Sequence, residues 1–288
     1  MKSSLSESAK NKLVLLGVGQ VASHVAYLAD GYDLIGTTRN KNKVQSLHTD
    51  GITSFLIENK LTVQQQNELA KILTNACVLV SFPPDEYSDK IFSSLCSQSK
   101  RIIYISSTSV YGDYHGIVDE TTKADWQNTR SKLRLEAEKH WLDKGAIVLR
   151  APGLYGSKSG LHLRLSNGSY RLPPKNDNYI SRIHLQDLAR IILAAFAKPL
   201  PANSTYLVGD LKPATQLEIV QWLCNNMNRP LPEQAEPDNI PTSLTANRRV
   251  NSKKILDELN IELQFPTYKE GYTDCLKKAA LLNSSHHG

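Results

Sequence analysis

The stretch Lys12-Leu-Val-Leu-Leu-Gly17-Val-Gly19-Gln-Val-Ala22 decides the fold of this chain. A short apolar run ends at a glycine, and small residues then follow the spacing Gly-x-Gly-x-x-Ala into a helical pattern. In such a loop the first glycine permits a tight turn, the second lets the backbone approach a pyrophosphate, and the third small residue lets helix and strand pack closely. The stretch therefore predicts a dinucleotide-binding loop, with Gly17, Gly19, Gln20 and Val21 as cofactor contacts.

Short apolar runs alternate with amphipathic stretches through the first 150 residues. This alternation is typical of parallel strands joined by crossover helices. We predict an α/β fold, a Rossmann-type doubly wound parallel sheet with a small C-terminal substrate-binding region. The predicted strands are 12–17, 32–36, 52–57, 76–82, 101–106 and 146–150, and the predicted helices are 20–29, 63–73, 87–99 and 129–142.

The pattern changes after the sixth predicted strand. Residues 156–178 are rich in Gly, Ser, Asn and Pro, which predicts a long loop. We expect a dinucleotide-binding domain over 1–150 and a substrate-covering region over 151–288. Within that region, the strand and helix predicted over 179–196 are expected to rejoin the Rossmann body.

Composition excludes several classes of protein. The 288 residues carry 34 Lys plus Arg against 28 Asp plus Glu, and no aromatic-interleaved basic stripe accompanies this mild excess, so we expect no nucleic-acid partner. No apolar run reaches the roughly 18 residues that span a bilayer, and the start is polar, so we expect a cytoplasmic protein with no membrane partner. The four cysteines lie far apart, which favours buried thiols over a metal site.

Cofactor preference depends on the residues that end the second predicted strand. An acidic residue there would hold a ribose 2′-hydroxyl. The sequence instead offers Thr38 and Arg39, followed by Lys41 and Lys43, which suit a 2′-phosphate. The pattern predicts NADP rather than NAD, with Thr38 and Arg39 as contacts; the alternative is that these cations form a solvated turn.

The fourth predicted strand ends at Ser81-Phe82-Pro83. Ligands of open parallel sheets collect at the carboxyl ends of the strands. We therefore predict that Ser81, Phe82 and Pro83 contact the cofactor. For the prolines of this segment, a rigid exit from the sheet is the alternative.

Further motifs carry a resemblance to a known family. They are Ile105-Ser-Ser-Thr-Ser-Val-Tyr-Gly112, Val118-Asp-Glu-Thr-Thr122, Val148-Leu-Arg-Ala-Pro-Gly-Leu-Tyr-Gly156 and Ser181-Arg-Ile-His-Leu-Gln-Asp-Leu-Ala189. With the glycine loop, they resemble the extended short-chain dehydrogenase/reductases, which include NAD-dependent sugar-nucleotide epimerases and dehydratases. Within this family they look like the atypical reductases of the bacterial YeeZ type.

The resemblance implies roles for particular residues. Ser107 falls at the family's catalytic Ser or Thr, and Lys132 falls at the lysine of its Tyr-x-x-x-Lys pair, which also bonds the nicotinamide ribose. Pro152 falls where the backbone approaches the nicotinamide. Asn128 stands in place of the tyrosine, and an amide cannot act as a general acid or base.

Other groups near the fifth strand could replace the missing phenol. Tyr111, Tyr114, His115 and Asp113 follow that strand, and we name Tyr111 as the candidate catalytic group. The alternative for Tyr111 is packing at the exit of the strand.

Two functions follow as hypotheses. The first is an NADP-dependent reductase or epimerase-like enzyme without the usual tyrosine, a monomer or homodimer, acting on a small carbonyl or sugar-derived substrate. Four cations would suit an anionic substrate or form a solvated loop: Arg164, Arg171, Lys175 and Arg182. The second is a non-catalytic protein that binds NADP(H) as a sensor or scaffold.

Overall fold

The structure is a computed structural model that describes residues 11–57, 60–174, 176–236 and 247–284, with side chains described as far as residue 279. The polar start of the sequence and Lys175 lie outside the described residues. Within the described part, no helix combines the length and the apolar character needed to cross a membrane. All four cysteines are buried with free thiols, as predicted.

Thirteen strands and ten helices form the described part of the chain. The strands are β1 (Asn11–Leu16), β2 (Tyr32–Thr38), β3 (Thr53–Leu56), β4 (Cys77–Val80), β5 (Arg101–Ser107), β6 (His115–Val118), β7 (Ile147–Ala151), β8 (Gly153–Tyr155), β9 (Tyr179–Ile180), β10 (Arg182–His184), β11 (Ser204–Leu207), β12 (Ala214–Thr215) and β13 (Asn247–Val250). The helices are α1 (Gln20–Leu28), α2 (Val44–Thr49), α3 (Val63–Leu73), α4 (Glu86–Leu95), α5 (Thr129–Leu142), α6 (Leu161–Ser166), α7 (Leu185–Ala197), α8 (Gln216–Asn226), α9 (Lys253–Leu259) and α10 (Tyr268–Ser284).

Seven strands form one central sheet in the order β3-β2-β1-β4-β5-β7-β11. Every pairing in this sheet is parallel. The strand order reverses between β1 and β4, where chain crossovers leave in opposite directions and open a crevice for ligands. The predicted Rossmann-type doubly wound sheet is confirmed.

Apolar side chains cover both faces of the sheet. Along β1, Leu13 and Leu15 pack into the layer that contains α1 and α7, whereas Val14 and Leu16 pack into the layer that contains α3, α4 and α5. A strand buried on both faces must be apolar at successive positions, which explains the continuous run Leu13 to Leu16.

The central sheet uses residues from beyond position 150. Its edge strand is β11, and α7 packs beside α1 on one face. A separate apolar cluster lies in the C-terminal half and is built from α6, α8, α10 and the strands near them. The division of the chain at residue 150 stays a prediction.

Three pairs of short strands, each strand two to four residues long, join segments that are distant in sequence. They are β6 with β13, β8 with β10, and β9 with β12. These pairings were not predicted, because they join segments that are distant in sequence. The helices α2 and α6 were not predicted either, because fewer than two helical turns carry too little periodicity to be recognised. The loop predicted over 156–178 accordingly contains α6, at Leu161–Ser166.

Gly271 provides a test of packing in the C-terminal cluster. It lies inside α10, where alanine normally favours the helix by about 1 kcal/mol. A Cβ at this position would collide with the Tyr155 hydroxyl and lie 2.7 Å from Tyr155 Cζ. The Tyr155 hydroxyl is buried and has no hydrogen-bond partner among the described residues.

We expect Gly271→Ala to lower the free energy of unfolding by about 1–2 kcal/mol, because overpacking outweighs the gain in helix propensity. Urea denaturation measures the change. The double variant Gly271→Ala, Tyr155→Phe should recover part of the loss, since it removes the colliding oxygen. A Gly271→Ala variant that is more stable than the parent would contradict this packing.

Candidate functional site

Four sequence motifs lie at one edge of the central sheet. Gly17 follows β1, Ser81 follows β4, Ser107 ends β5, and Pro152 follows β7. These strands are neighbours, and Ser107 pairs with Ala151 in the register of β5 and β7. The carboxyl ends of parallel strands meet at the same edge. The motifs therefore form one continuous surface with two pockets.

The first pocket, called here the glycine-loop pocket, has a volume of about 510 Å³. It contains most of the predicted cofactor contacts: Gly17, Gly19, Thr38, Arg39, Ser81, Phe82 and Pro83. It also contains Lys43, one of the cations predicted to suit a 2′-phosphate, and Thr37, which was not predicted as a contact. Gln20 and Val21 begin α1 directly beside it.

Side chains from the neighbouring strands hold the glycine loop in place. The Gly17 N–H donates to Thr37 Oγ1 at 2.8 Å, and Ser81 Oγ donates to the Gly17 carbonyl at 2.8 Å. Gly17 has a φ of +86°, and a Cβ there would lie 2.9 Å from Phe82 Cβ. Only glycine fits this turn without strain.

The start of α1 fits a bound pyrophosphate. A Cβ on Gly19 would meet nothing within 4 Å, so the backbone is open to the pocket there. No side chain of the described residues caps this helix, which leaves its first N–H groups as donors. Free donors and the positive end of the helix dipole together suit a phosphate group.

Arg39 is held against the start of α4. Its Nη2 donates to Ser88 Oγ at 2.6 Å. Ser88 N in turn donates to Asp85 Oδ1 at 2.7 Å, and these hydrogen bonds, with a smaller effect of Arg39, hold the pKa of Asp85 below its usual value. The arginine is thus anchored at the pocket wall, although part of its charge faces a carboxylate.

The second pocket, called here the arginine pocket, has a volume of about 770 Å³. Ser107 and Pro152 line it, together with the acidic residue Asp113. Four arginines also line it: Arg130, Arg164, Arg182 and Arg248. With four cations against one carboxylate, this pocket favours an anionic ligand.

The four cations predicted to suit an anionic substrate do not all lie in this pocket. Arg164 and Arg182 line the arginine pocket, whereas Arg171 lies near Glu233, with Nε 3.6 Å from Oε2. Lys175 is outside the described residues. Arg130 and Arg248, which complete the pocket, were not predicted.

Lys132 does not lie among the described residues that line either pocket. Its side chain is 59% exposed, and its Nζ lies 4.0 Å from Glu136 Oε1, one turn along α5. Asn128 lines the arginine pocket and caps α5, accepting hydrogen bonds from the N–H groups of Arg130 and Ser131. The structure therefore does not bring Lys132 together with Ser107, and its predicted role stays a prediction.

Tyr111 is buried beside the site but does not line either pocket within the described part of the chain. Its hydroxyl accepts a hydrogen bond from Arg150 Nη1 at 3.0 Å, and burial raises its pKa above the usual value. This position agrees with the packing alternative. Its assignment as a catalytic group stays untested.

A buried ion pair lies behind Tyr111. Arg150 donates to Glu138 through Nε at 3.0 Å and through Nη2 at 2.7 Å. Ser106 Oγ donates to the same carboxylate at 2.5 Å. The pair therefore connects the ends of β5 and β7 to α5 directly below Ser107.

Tyr170 is the phenol that lines the arginine pocket among the described residues. Its hydroxyl accepts a hydrogen bond from Gln216 Nε2, and the Arg164 guanidinium lies 5.0 Å from the centre of its ring. Burial raises its pKa, opposed by Gln216, Arg182 and Arg164. Sequence spacing from the fifth strand could not find this residue, because it belongs to a distant loop.

One other cluster brings possible metal ligands together. Ligand atoms of His184, Asp274 and Cys275 lie within 4.8 Å of one another, the one such group in the described part of the chain. His184 Nδ1 accepts from Gln186 N, so its neutral ring carries the proton on Nε2, the atom that faces the other two residues. Lys278 Nζ already lies 2.9 Å from Asp274 Oδ2. These contacts favour a packed polar cluster over a metal site.

Comparison with known proteins identifies relatives over nearly the whole chain. Protein YeeZ of Escherichia coli (strain K12) is 27% identical over 276 residues, which cover 88% of this chain and 96% of YeeZ. This similarity over nearly the whole chain confirms the predicted resemblance to proteins of the YeeZ type.

Solved structures share the fold, although no protein-family model matches the chain. A conserved protein of unknown function from Silicibacter pomeroyi DSS has a TM-score of 0.80 at 26% identity, covering 93% of this chain and 99% of that one. The UDP-glucuronic acid 4-epimerase of Bacillus cereus, solved in complex with NAD, has a TM-score of 0.73 at 15% identity. It covers 92% of this chain and 99% of the epimerase chain.

The buried ion pair gives a stability prediction. Glu138→Ala leaves the Arg150 charge buried without its partner, so we expect the free energy of unfolding to fall by about 3–5 kcal/mol. Glu136→Ala is the matched control, since Glu136 lies on the same helix in an exposed pair with Lys132. The control should cost no more than about 0.5 kcal/mol. Equal effects of the two changes in urea denaturation would contradict the role of the buried pair.

Proposed function

We propose that the chain binds NADP(H), with the adenosine end of the cofactor in the glycine-loop pocket and the nicotinamide end beside Ser107 and Pro152. The observation that carries the proposal is Arg39, anchored by Ser88 at the end of β2, where no carboxylate follows the strand. A carboxylate there would select the free 2′-hydroxyl of NAD. A guanidinium with Thr38 beside it suits the 2′-phosphate of NADP.

The proposed reaction is reduction or epimerisation of a small, anionic carbonyl or sugar-derived substrate held in the arginine pocket. The bound cofactor would supply or accept a hydride at its nicotinamide ring. The four arginines that line this pocket support an anionic substrate. Ser107 supports the placement of the reacting oxygen, because it lies on the strand next to Pro152 at the same edge.

Proton transfer in this proposal does not use a tyrosine at position 128. The side-chain oxygen of Asn128 accepts the hydrogen bonds that cap α5. We assign the proton to Tyr170, which lines the pocket and whose hydroxyl oxygen accepts from Gln216, so that its own O–H remains available as a donor. The phenol is protonated at neutral pH and so carries a proton to donate; burial raises its pKa, and Gln216, Arg182 and Arg164 oppose that rise.

The second candidate is a non-catalytic protein that binds NADP(H) as a sensor or scaffold. The exposed position of Lys132 favours it, because the lysine is not placed to lower the pKa of a phenol in the pocket. NADPH oxidation over a panel of small carbonyl acids and sugar derivatives separates the two functions. NADPH binding with no oxidation of NADPH across the panel would favour the sensor.

Cofactor choice is tested at Arg39. We expect Arg39→Ala to weaken NADPH binding by about 10- to 100-fold, the loss of one charge-assisted contact, while NADH binding changes little. Fluorescence titration of both cofactors measures the effect. Lys90→Ala on α4 is the matched control, since Lys90 is exposed and removes the same charge outside the pocket. Equal affinities of the parent protein for NADPH and NADH would contradict the proposal.

The assignment of the proton is tested at Tyr170. For any substrate that the panel identifies, we expect Tyr170→Phe to lower kcat by about 100-fold or more while NADPH affinity is unchanged. Tyr114→Phe compares a phenol that follows β5 and is 43% exposed. If Tyr114→Phe lowers kcat and Tyr170→Phe does not, the assignment to Tyr170 is wrong.

A further inference from the structure

The floor of the arginine pocket contains polar groups that the fold leaves without partners. Gln216 is only 2% exposed, and its Oε1 has no hydrogen-bond partner among the described residues. Ser159 Oγ and Arg182 Nε are also buried without a partner in the described part of the chain. All three residues line the pocket. A buried polar group without a partner costs about 1–3 kcal/mol, so these groups point to a bound ligand.

The amide of Gln216 specifies part of the ligand. One end of the amide bonds the Tyr170 hydroxyl, and the other end is the unpartnered one. A ligand hydroxyl can both donate and accept, so it satisfies this end whichever way the amide is turned. An apolar ligand would leave the amide buried and unpaired.

The arginines specify the other part of the ligand. Arg182 lines the same pocket as Gln216, and the Arg164 guanidinium lies 5.0 Å from the centre of the Tyr170 ring. Asp210 lies near Arg182 but is 2% exposed, and burial raises its pKa to about 8. Burial therefore weakens Asp210 as a counter-ion for Arg182, whose Nε has no hydrogen-bond partner among the described residues.

We infer that Gln216, Ser159 and Arg182 form a subsite for a small hydroxylated anion, with its anionic group at Arg182 and a hydroxyl at Gln216. The sources of this chemistry are a polyhydroxylated carboxylic acid or a sugar phosphate, without an attached nucleotide. The inference rests on the proposed function in that it names the class of substrate for the same pocket.

Matched probes separate charge from hydroxyl groups. Quinate and cyclohexanecarboxylate share a ring and a carboxylate and differ in the hydroxyls, whereas myo-inositol has hydroxyls and no charge. Saturation-transfer NMR on the full chain with NADP present should give quinate at least about tenfold higher affinity than either control compound. Glucose 6-phosphate tests a phosphate as the anionic group. Whichever of glucose 6-phosphate and quinate binds with the higher affinity identifies the preferred anionic group.

Variants on α8 assign the preference to Gln216. Gln216→Leu should lower the preference for quinate over cyclohexanecarboxylate by about 5- to 10-fold, the loss of one hydrogen bond. Gln221→Leu, an exposed position on the same helix, should leave it unchanged. Gln216→Glu replaces the donor that faces the Tyr170 hydroxyl with an acceptor and adds a negative charge, so it should weaken quinate binding more than myo-inositol binding.

The outcomes distinguish this subsite from the proposed cofactor function. If NADPH binds but quinate, glucose 6-phosphate and cyclohexanecarboxylate all fail to bind, or if quinate and cyclohexanecarboxylate bind equally, the subsite is wrong. The same holds if UDP-glucuronate binds and the nucleotide-free anions do not. If quinate binds with the expected preference while NADPH does not bind, the cofactor proposal fails and the subsite stands.

Discussion

The ion pair between Glu138 and Arg150 fixes the part of the molecule on which the candidate site is built. It is bidentate and almost fully buried, with side-chain exposures of 2% and 12%. Desolvating two charges is costly, and good geometry with additional hydrogen bonds offsets that cost. Ser106 and Tyr111 supply those bonds. As a result, α5 and the ends of β5 and β7 share one rigid polar junction, and Ser107 and Pro152 are its neighbours in sequence.

Polar links of the same kind attach the C-terminal half to the sheet. Asp187 on α7 is buried, and its carboxylate accepts from the N–H groups of Gln264 and Phe265, each at 2.8 Å. Ser181 Oγ accepts from Val250 N at 2.8 Å, at the end of β13. The bond between Ser181 and Val250 positions β13. Arg248 of that strand donates to the Gly112 carbonyl. The arginine pocket is thus assembled from segments that meet only after the whole chain has folded.

The sequence allows the sheet and the glycine loop to be predicted because their constraints are local. A strand buried on both faces needs consecutive apolar residues, and the turn at Gly17 needs a residue without a Cβ. The arginine pocket has only part of a local signature, since the basic segment that contains Arg164 and Arg182 was predicted and Arg130 and Arg248 were not. Arg130, Arg164, Arg182 and Arg248 lie on α5, α6, β10 and β13, and their proximity depends on tertiary pairings that spacing along the chain does not encode.

The position of Lys132 shows a further limit of reasoning from spacing. Residues four apart share one face of a helix only if both lie within it. Here Asn128 is the N-cap and α5 begins at Thr129. The Lys132 side chain lies on the exposed face of α5, beside Glu136. Asn128, which stands at the position where the resemblance predicts a tyrosine, also caps the start of the helix. The glycine-loop pocket is built by other strands and does not depend on this cap.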